Sequence, residues 1–261
     1  MYIKFMNLSA SYLNYQENLR LLQTTFFAGS EGDAIAESIK TYCDRKAVNV
    51  LDVGCGNGKF LRRTYEILTQ AGIEATLTGI DPDSSNVEEA TRQLPASKIY
   101  CTDFEHFVTD GKLYDVITAR HTLYYVQELN QQLNRMIELL NPGGLLAMVL
   151  WSKRCDLYRA HLTVAGDGSP IPTAGTIKKI FRARFDVQPV SKKTYLGSVD
   201  IAAWRNSEEI CRSAYFILGR QAITSIPTDS LQRFREKLGS FPDVGQRQVT
   251  VLVYKKQSKN T

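Results

Sequence analysis

Asp52, Gly54, Gly56 and Gly58 stand at every second position in Val50-Leu51-Asp52-Val53-Gly54-Cys55-Gly56-Asn57-Gly58-Lys59-Phe60. Glycines at this density behind a carboxylate suit the holding of a ligand against bare backbone. Without a Cβ the main chain bends sharply and a ligand can approach it closely. A helix starting directly after the turn presents free N–H groups to that ligand. Asp81, in Gly79-Ile80-Asp81-Pro82-Asp83, offers two carboxylate oxygens that can accept a pair of adjacent hydroxyls as a fork. His121, in Arg120-His121-Thr122-Leu123-Tyr124-Tyr125-Val126, belongs to the residue type best suited to receiving or relaying a proton near neutral pH.

The elements around these residues are legible from periodicity. Val48, Val50 and Leu51 read as a buried strand, and residues 59–68 have helical apolar spacing, so residues 54–58 form a strand-to-helix turn. Ala75, Leu77 and Ile80 make a short second strand with Asp81 at its carboxyl end, where open α/β sheets bind ligands. Ser85-x-x-Glu88 reads as a capping box for the next helix and leaves Asp81 free. Residues 99–104 read as a third strand ending in Thr102-Asp103-Phe104, and residues 115–119 as a fourth running into Arg120. Asn141-Pro142-Gly143-Gly144 is a turn, with Pro fixing φ and Gly taking positive φ, before a fifth strand over residues 145–151.

The glycine spacing excludes two common ligands. A dinucleotide fingerprint needs G-x-G-x-x-G, and here Lys59 stands where its third Gly belongs. A P-loop needs Gly-Lys-Ser/Thr, and Gly58-Lys59-Phe60 lacks the hydroxyl. The remaining pattern, Asp-x-Gly-x-Gly-x-Gly, resembles the first motif of the class I S-adenosylmethionine-dependent methyltransferases. The resemblance extends through four ordered motifs over residues 45–151. It implies an α/β fold: a Rossmann-like seven-stranded sheet with helices on both faces. It also implies a cofactor site for S-adenosyl-L-methionine, with S-adenosyl-L-homocysteine as product, lined by Asp52, Gly54, Cys55, Gly56, Gly58, Asp81, Pro82, Thr102, Asp103, Phe104 and Arg120. By the resemblance, Asp52 orients the loop and meets the ligand's amino group, and Asp81 takes the ribose hydroxyls. Asp103 meets the adenine amino group and the Phe104 N–H a ring nitrogen. Arg120 reads as an anchor for a carboxylate or phosphate, or as a surface salt bridge.

Outside this core, residues 9–27 have helical periodicity and carry Tyr12 and Tyr15; a second helix covers residues 33–44. Beyond Trp151 come a loop or helix over 156–162, a Gly/Pro-rich stretch over 166–172 and a helix over 176–184. Residues 185–195 read as a sixth strand and 247–255 as the last, with clear alternation. Between them, residues 199–240 read as an insertion of two amphipathic helices. Trp204, Tyr215 and Phe216 fall on the first, and Leu231, Phe234 and Leu238 on the second. The expected organisation is a helical lid and first core helix over 1–45 and a methyltransferase core over 46–198. A helical cap insertion over 199–240 and a final strand and tail over 241–261 complete it. This layout, with Leu123-Tyr124-Tyr125-Val126 after the fourth strand, is similar to that of histamine N-methyltransferase-like small-molecule methyltransferases. It implies an acceptor site of Tyr12, Tyr15, His121, Tyr124, Tyr125, Trp151 and Trp204, with His121, Tyr124 and Tyr12 nearest the chemistry.

Composition narrows the field. Over 261 residues the net charge is +5, and the densest basic stretch, 178–184, reads as a solvated helix face with Ile180, Phe181 and Phe185 turned inward. A nucleic-acid partner is therefore not expected. Five scattered cysteines lack metal-ligand spacing and point to a reduced, cytoplasmic protein without a metal. No apolar run approaches membrane-spanning length and Met1-Tyr2-Ile3-Lys4 starts no signal peptide, so no membrane partner is expected. Residues 118–121 carry neither the Asn/Asp-Pro-Pro-Tyr/Phe of nucleobase amino methyltransferases nor the carboxylates of magnesium-dependent catechol-type enzymes, and the loop lacks the glutamate pair of protein arginine methyltransferases. The expected function is methyl transfer to a small molecule, foremost a nitrogen of an amine or guanidine, by a monomer or homodimer. The alternatives are O-methylation of a carboxylate or hydroxyl, and an inactive cofactor-binding partner subunit.

Overall fold

The computed structural model describes residues 18, 21, 24, 26–27, 31–126, 128–165, 171–184, 186–219 and 228–257. In chain order the elements begin with β1 (Phe26–Phe27), α1 (Glu31–Tyr42), β2 (Ala47–Val53), α2 (Lys59–Gln70), β3 (Glu74–Asp81), α3 (Ser84–Gln93) and β4 (Lys98–Cys101). They continue with β5 (Tyr114–Arg120), α4 (Leu129–Glu138), β6 (Leu140–Trp151), α5 (Asp156–Ala165), α6 (Ala174–Phe181) and β7 (Val187–Asp200). Last come α7 (Ile201–Asn206), α8 (Glu208–Gly219), α9 (Thr228–Leu238) and β8 (Val244–Lys256).

Two compact units emerge. The larger holds residues 30–150, 172–195 and 249–261; the smaller holds 1–29, 151–171 and 196–248. The sheet of the larger unit runs β7-β8-β6-β5-β2-β3-β4. β2 pairs parallel with β3 and with β5, β3 with β4, and β5 with β6. From β2 the chain steps outward through β3 and β4, then returns to β5 on the other side. The junction of β2 and β5 is therefore the topological switch point, and the carboxyl ends of β2, β3, β4 and β5 all face the same way.

The sequence supports this sheet because its central strands are apolar on both faces, as parallel strands covered by helices must be. Val48, Val50, Leu51 and Val53 are buried on β2, and Val116, Ile117 and Ala119 on β5. α2 offers Phe60, Leu61, Thr64, Ile67 and Leu68, a stripe at helical spacing that is buried throughout. It stops at Gly72, whose φ of 72° lets Ile73 N–H turn back to Leu68 O at 2.9 Å. Each large apolar side chain buried here contributes about 1.5–3 kcal/mol. Asp115 secures the opposite end of the switch point. Its buried carboxylate accepts from Asn49 N–H and Asn141 Nδ2, each at 2.8 Å, and pairs with Arg45 at 2.9 Å. Residues 141–144 bulge there, since Tyr114 pairs with Leu140 but Val116 with Leu145.

In the smaller unit Trp204 is fully buried, the rings of Tyr215 and Phe234 meet edge-on at 5.4 Å, and buried Asp156 accepts from Gln246 N–H at 2.7 Å. No helix among the described residues is long and apolar enough to cross a membrane.

Several local expectations are corrected. Phe26–Phe27 is a short strand paired antiparallel with Ser198 and Val199, not the end of a helix; Tyr12 and Tyr15 lie outside the described residues. The insertion has three helices among the described residues, because Ser207 adopts an extended backbone (φ −105°, ψ 123°) that separates Trp204 on α7 from Tyr215 on α8. The cap of α3 is Asp83, whose carboxylate accepts from Ser85 and Asn86 N–H, rather than Ser85. An aspartate two residues earlier is as good a cap as serine, and the chain turns there first.

Candidate functional site

The parallel register brings the glycine turn, Asp81, the segment after β4 and the segment after β5 to one end of the sheet. Gly54 and Cys55 N–H both donate to Ile80 O, at 2.9 and 3.0 Å, tying the turn to the end of β3. Gly54, Gly56 and Gly58 all have positive φ (72°, 55° and 81°), but their surroundings differ. A Cβ on Gly54 would lie 2.4 Å from Thr122 Oγ1, and one on Gly58 2.9 Å from Ala90 Cβ. Among the described residues, nothing lies within 4 Å of one on Gly56. Two of the glycines permit close packing, and the middle one has no described residue close to its missing side chain. That is the cradle a close-fitting ligand needs.

Asp81 is not free. Its Oδ2 accepts from Gly56 N–H at 2.9 Å, and its Oδ1 from Asp83 N–H at 3.0 Å and Asn86 Nδ2 at 3.1 Å. Burial pushes this carboxyl up from its usual range, the charge of Asp83 adds to that, and the three N–H donors oppose it. A buried carboxylate with open lone pairs still gains from further donors such as vicinal hydroxyls. Asp52 turns to the neighbouring strand, where Thr118 Oγ1 donates to its Oδ1 at 2.6 Å. Burial raises its pKa to about 6, against the Thr118 hydrogen bond and the charge of Arg120. Burial also holds the Cys55 thiol protonated.

After β4, Thr102 N–H donates to Asp81 O at 3.1 Å, Cys101 and Pro82 are exposed, and the Asp103 carboxylate accepts from its neighbour His106 through N–H at 2.9 Å and contacts the ring Nδ1 at 2.8 Å. Phe104 is buried beneath Arg135, whose guanidinium sits 4.9 Å from the ring centroid. Arg135 also donates to the carbonyls of Phe104, Glu105 and Phe107.

After β5, exposed Arg120 lies over the Phe60 ring at 4.9 Å. His121 takes a left-handed backbone, φ 55°, secured by its N–H donating to Val149 O at 3.1 Å. A histidine in this region is strained and persists only where its surroundings determine it. Its Nδ1 lies 3.2 Å from Tyr124 Oη, and its Nε2 4.0 Å from Glu31 Oε1. Tyr124 is buried and Tyr125 exposed. Trp151 is half-buried and Trp204 fully buried, both in the smaller unit.

The structure thus joins Gly56 to Asp81, Gly54 to Thr122 and His121 to Tyr124. It adds Asn86, Thr118, Thr122, Arg135 and Glu31, none of which periodicity could mark. Only Asn86 carried a signal, as a polar residue in the first turn of the helix after Asp81.

A model of the methyltransferase domain family matches residues 15–187, and the chain belongs to that family, the class I S-adenosylmethionine-dependent methyltransferases. It is similar to trans-aconitate 2-methyltransferase of Delftia acidovorans, with 27% identity over 63% of this chain and 60% of that protein. It is also similar to the ubiquinone biosynthesis O-methyltransferase of Coxiella burnetii, with 30% identity over 39% and 42%. The chain thus spans 42–60% of these relatives' length. Its fold matches that of the Bacillus halodurans protein BH2331, with TM-score 0.63, 11% identity, and 87% of this chain and all of that one covered. It also matches the plantazolicin methyltransferase BpumL, solved with S-adenosylhomocysteine, with TM-score 0.54, 18% identity and 95% and 89% covered. The cofactor of the family is S-adenosylmethionine. The open face at Gly56 and the carboxylate of Asp81 fit it, as a cradle for close backbone approach and an acceptor for its ribose hydroxyls.

Proposed function

We propose that this chain transfers a methyl group by in-line displacement to a nitrogen of a small amine or guanidine. The turn from Gly54 to Gly58 and Asp81 hold the cofactor, with Thr102, Asp103 and Phe104 on its adenine side. When bound, S-adenosylmethionine supplies a methyl activated by a positive sulfur. The protein's work is then to place the acceptor in line and to make its lone pair available, and placement alone carries a large share of the acceleration.

The observation that supports a nitrogen acceptor is His121, held in a strained backbone beyond β5 with Nδ1 3.2 Å from Tyr124 Oη. An ammonium or guanidinium must lose a proton before it can attack, whereas a carboxylate is already nucleophilic at neutral pH. A histidine–tyrosine pair has work to do for the first and none for the second. The buried carboxylate of Glu31 beside it also disfavours an anionic acceptor.

A second reading, O-methylation of a carboxylate, draws on exposed Arg120 and on the similarity to trans-aconitate 2-methyltransferase. Transfer of label from S-adenosylmethionine to a panel of small amines, guanidines, phenols and carboxylates separates the two. Label in amines or guanidines, lost in His121→Ala with S-adenosylhomocysteine binding retained, is the expected result. Label confined to carboxylates and indifferent to His121→Ala overturns it.

A further inference from the structure

Glu31 opens α1 and is buried at 5% exposure, an unusual place for a carboxylate unless a partner balances its desolvation. Its Oε1 stands at ion-pair distance, 4.0 Å, from His121 Nε2. The other ring nitrogen faces Tyr124 Oη at 3.2 Å, with the two rings 5.9 Å apart. The imidazole is therefore flanked by polar groups on both nitrogens, one from α1 and one from its own loop. Its backbone is meanwhile pinned to Val149.

Other titratable groups among the described residues here include Tyr195 and Arg120. Tyr195 of β7 has its phenol pushed up, first by burial and then by the charges of Glu31 and Asp33. Arg120 precedes His121 and lies over Phe60. The chemistry of a carboxylate facing one imidazole nitrogen is well defined. It favours the tautomer with the proton on that nitrogen, leaves the other nitrogen as acceptor, and stabilises the imidazolium that forms when a proton arrives.

We propose that Glu31 is the positioning residue for His121, holding Nε2 protonated so that Nδ1 receives a proton through Tyr124. In this relay the acceptor's N–H proton passes to the Tyr124 oxygen as the Tyr124 hydroxyl proton passes to His121 Nδ1. The lone pair left on nitrogen forms the new bond to the methyl carbon as the carbon–sulfur bond breaks and its electron pair stays on sulfur, leaving a neutral thioether. The imidazolium formed lies against the Glu31 carboxylate. The assignment rests on the amine reading above, but its first test does not.

That test follows the His121 imidazole by NMR across pH in wild type, Glu31→Gln and Glu31→Asp, with folding checked by thermal melting. The chain has three histidines, and loss of one signal in His121→Gln makes the assignment. Removing the negative charge withdraws stabilisation from the imidazolium, so the midpoint in Glu31→Gln is expected to fall by about one pH unit. Glu31→Asp, which keeps the charge on a shorter arm, is expected to recover part of it. An unchanged midpoint in a folded Glu31→Gln overturns the proposal. The second test uses methyl transfer to whichever amine the panel identifies. Expected is a kcat about 10- to 100-fold lower in Glu31→Gln, with little change in acceptor KM and the acid limb of the kcat profile moved to lower pH. A fall in kcat with the limb unmoved makes Glu31 merely structural and overturns the relay. A shifted midpoint in a protein that methylates no amine keeps the Glu31–His121 pair and discards the acceptor class.

Discussion

Gly56 N–H donates to Asp81 Oδ2 at 2.9 Å, so the carboxylate at the end of β3 shapes the glycine turn at the end of β2. This residue thus holds the loop in form, and in the proposed site its remaining lone pairs are offered to the ligand. Asp81→Asn keeps the volume but puts a donor where an N–H already points. Expected is a 10- to 100-fold loss of S-adenosylhomocysteine affinity by calorimetry, with stability lowered by about 1–3 kcal/mol for the unsatisfied groups. Unchanged affinity would remove Asp81 from the cofactor site.

Gly56 and Gly58 separate binding from stability. Alanine at 58 would meet Ala90 at 2.9 Å as well as bear a φ of 81°, forcing α3 away from the turn. Alanine at 56 meets nothing among the described residues and bears the backbone penalty, about 1–2 kcal/mol. Gly58→Ala is expected to lower the denaturation midpoint more than Gly56→Ala. Gly56→Ala is expected to lose at least tenfold in cofactor affinity, its methyl occupying the ligand's side of the loop. Chemical denaturation and calorimetry on both variants check this, and equal binding by wild type and Gly56→Ala would contradict it.

Asp52 carries a pH dependence. Its carboxyl titrates near pH 6 in the folded chain and near 4 when unfolded, because burial outweighs the Thr118 hydrogen bond. Between these values the native state binds more protons, so the contribution of Asp52 to stability is full below pH 4 and falls as pH rises through 6. Asn at 52 keeps an oxygen for the Thr118 hydroxyl and has no charge to desolvate. Relative to wild type, Asp52→Asn is expected to gain about 2–3 kcal/mol between pH 4 and pH 7. Parallel stability curves for the two proteins across that range would show the carboxyl to be unperturbed.

Arg135 pins the segment after β4 by donating to three carbonyls and lying over Phe104. Arg135→Met preserves the length of the side chain and removes all of the donors. Expected is a loss of about 2–4 kcal/mol, since part-buried carbonyls are left without partners. Faster amide exchange concentrated over residues 103–107 is expected with it. Exchange unchanged there would mean that the segment holds its form without the guanidinium.

Much of the fold was legible because it depends on short-range regularities. The apolar runs at 48–53 and 115–119 and the helical stripe from Phe60 to Leu68 report burial by their period alone. The glycine turn announces itself because positive φ and close packing demand glycine whatever the rest of the molecule does. The misreadings were also local. Asp83 and Ser85 both offer a helix cap, and only the path of the chain after β3 selects between them. Ser207 can continue a helix or break it, and in the folded chain its extended backbone breaks it.

The sequence by itself determined a methyltransferase-like order of strands, the glycine turn, and the placing of Asp81, His121 and Tyr124 at or just beyond strand ends. Each follows from residue type and spacing within a few positions, where sterics and hydrogen-bond geometry act directly. Only the tertiary structure decided what those groups touch. Asp81 reaches back to Gly56, Asp52 meets Thr118 across a strand pair, and Arg135 holds carbonyls about thirty positions earlier in the chain. Glu31 comes to His121 because α1, packed against α2, opens beside the loop that follows β5. Contacts between segments so far apart leave no periodic trace, since they are set by how buried faces pack and not by any rule along the chain.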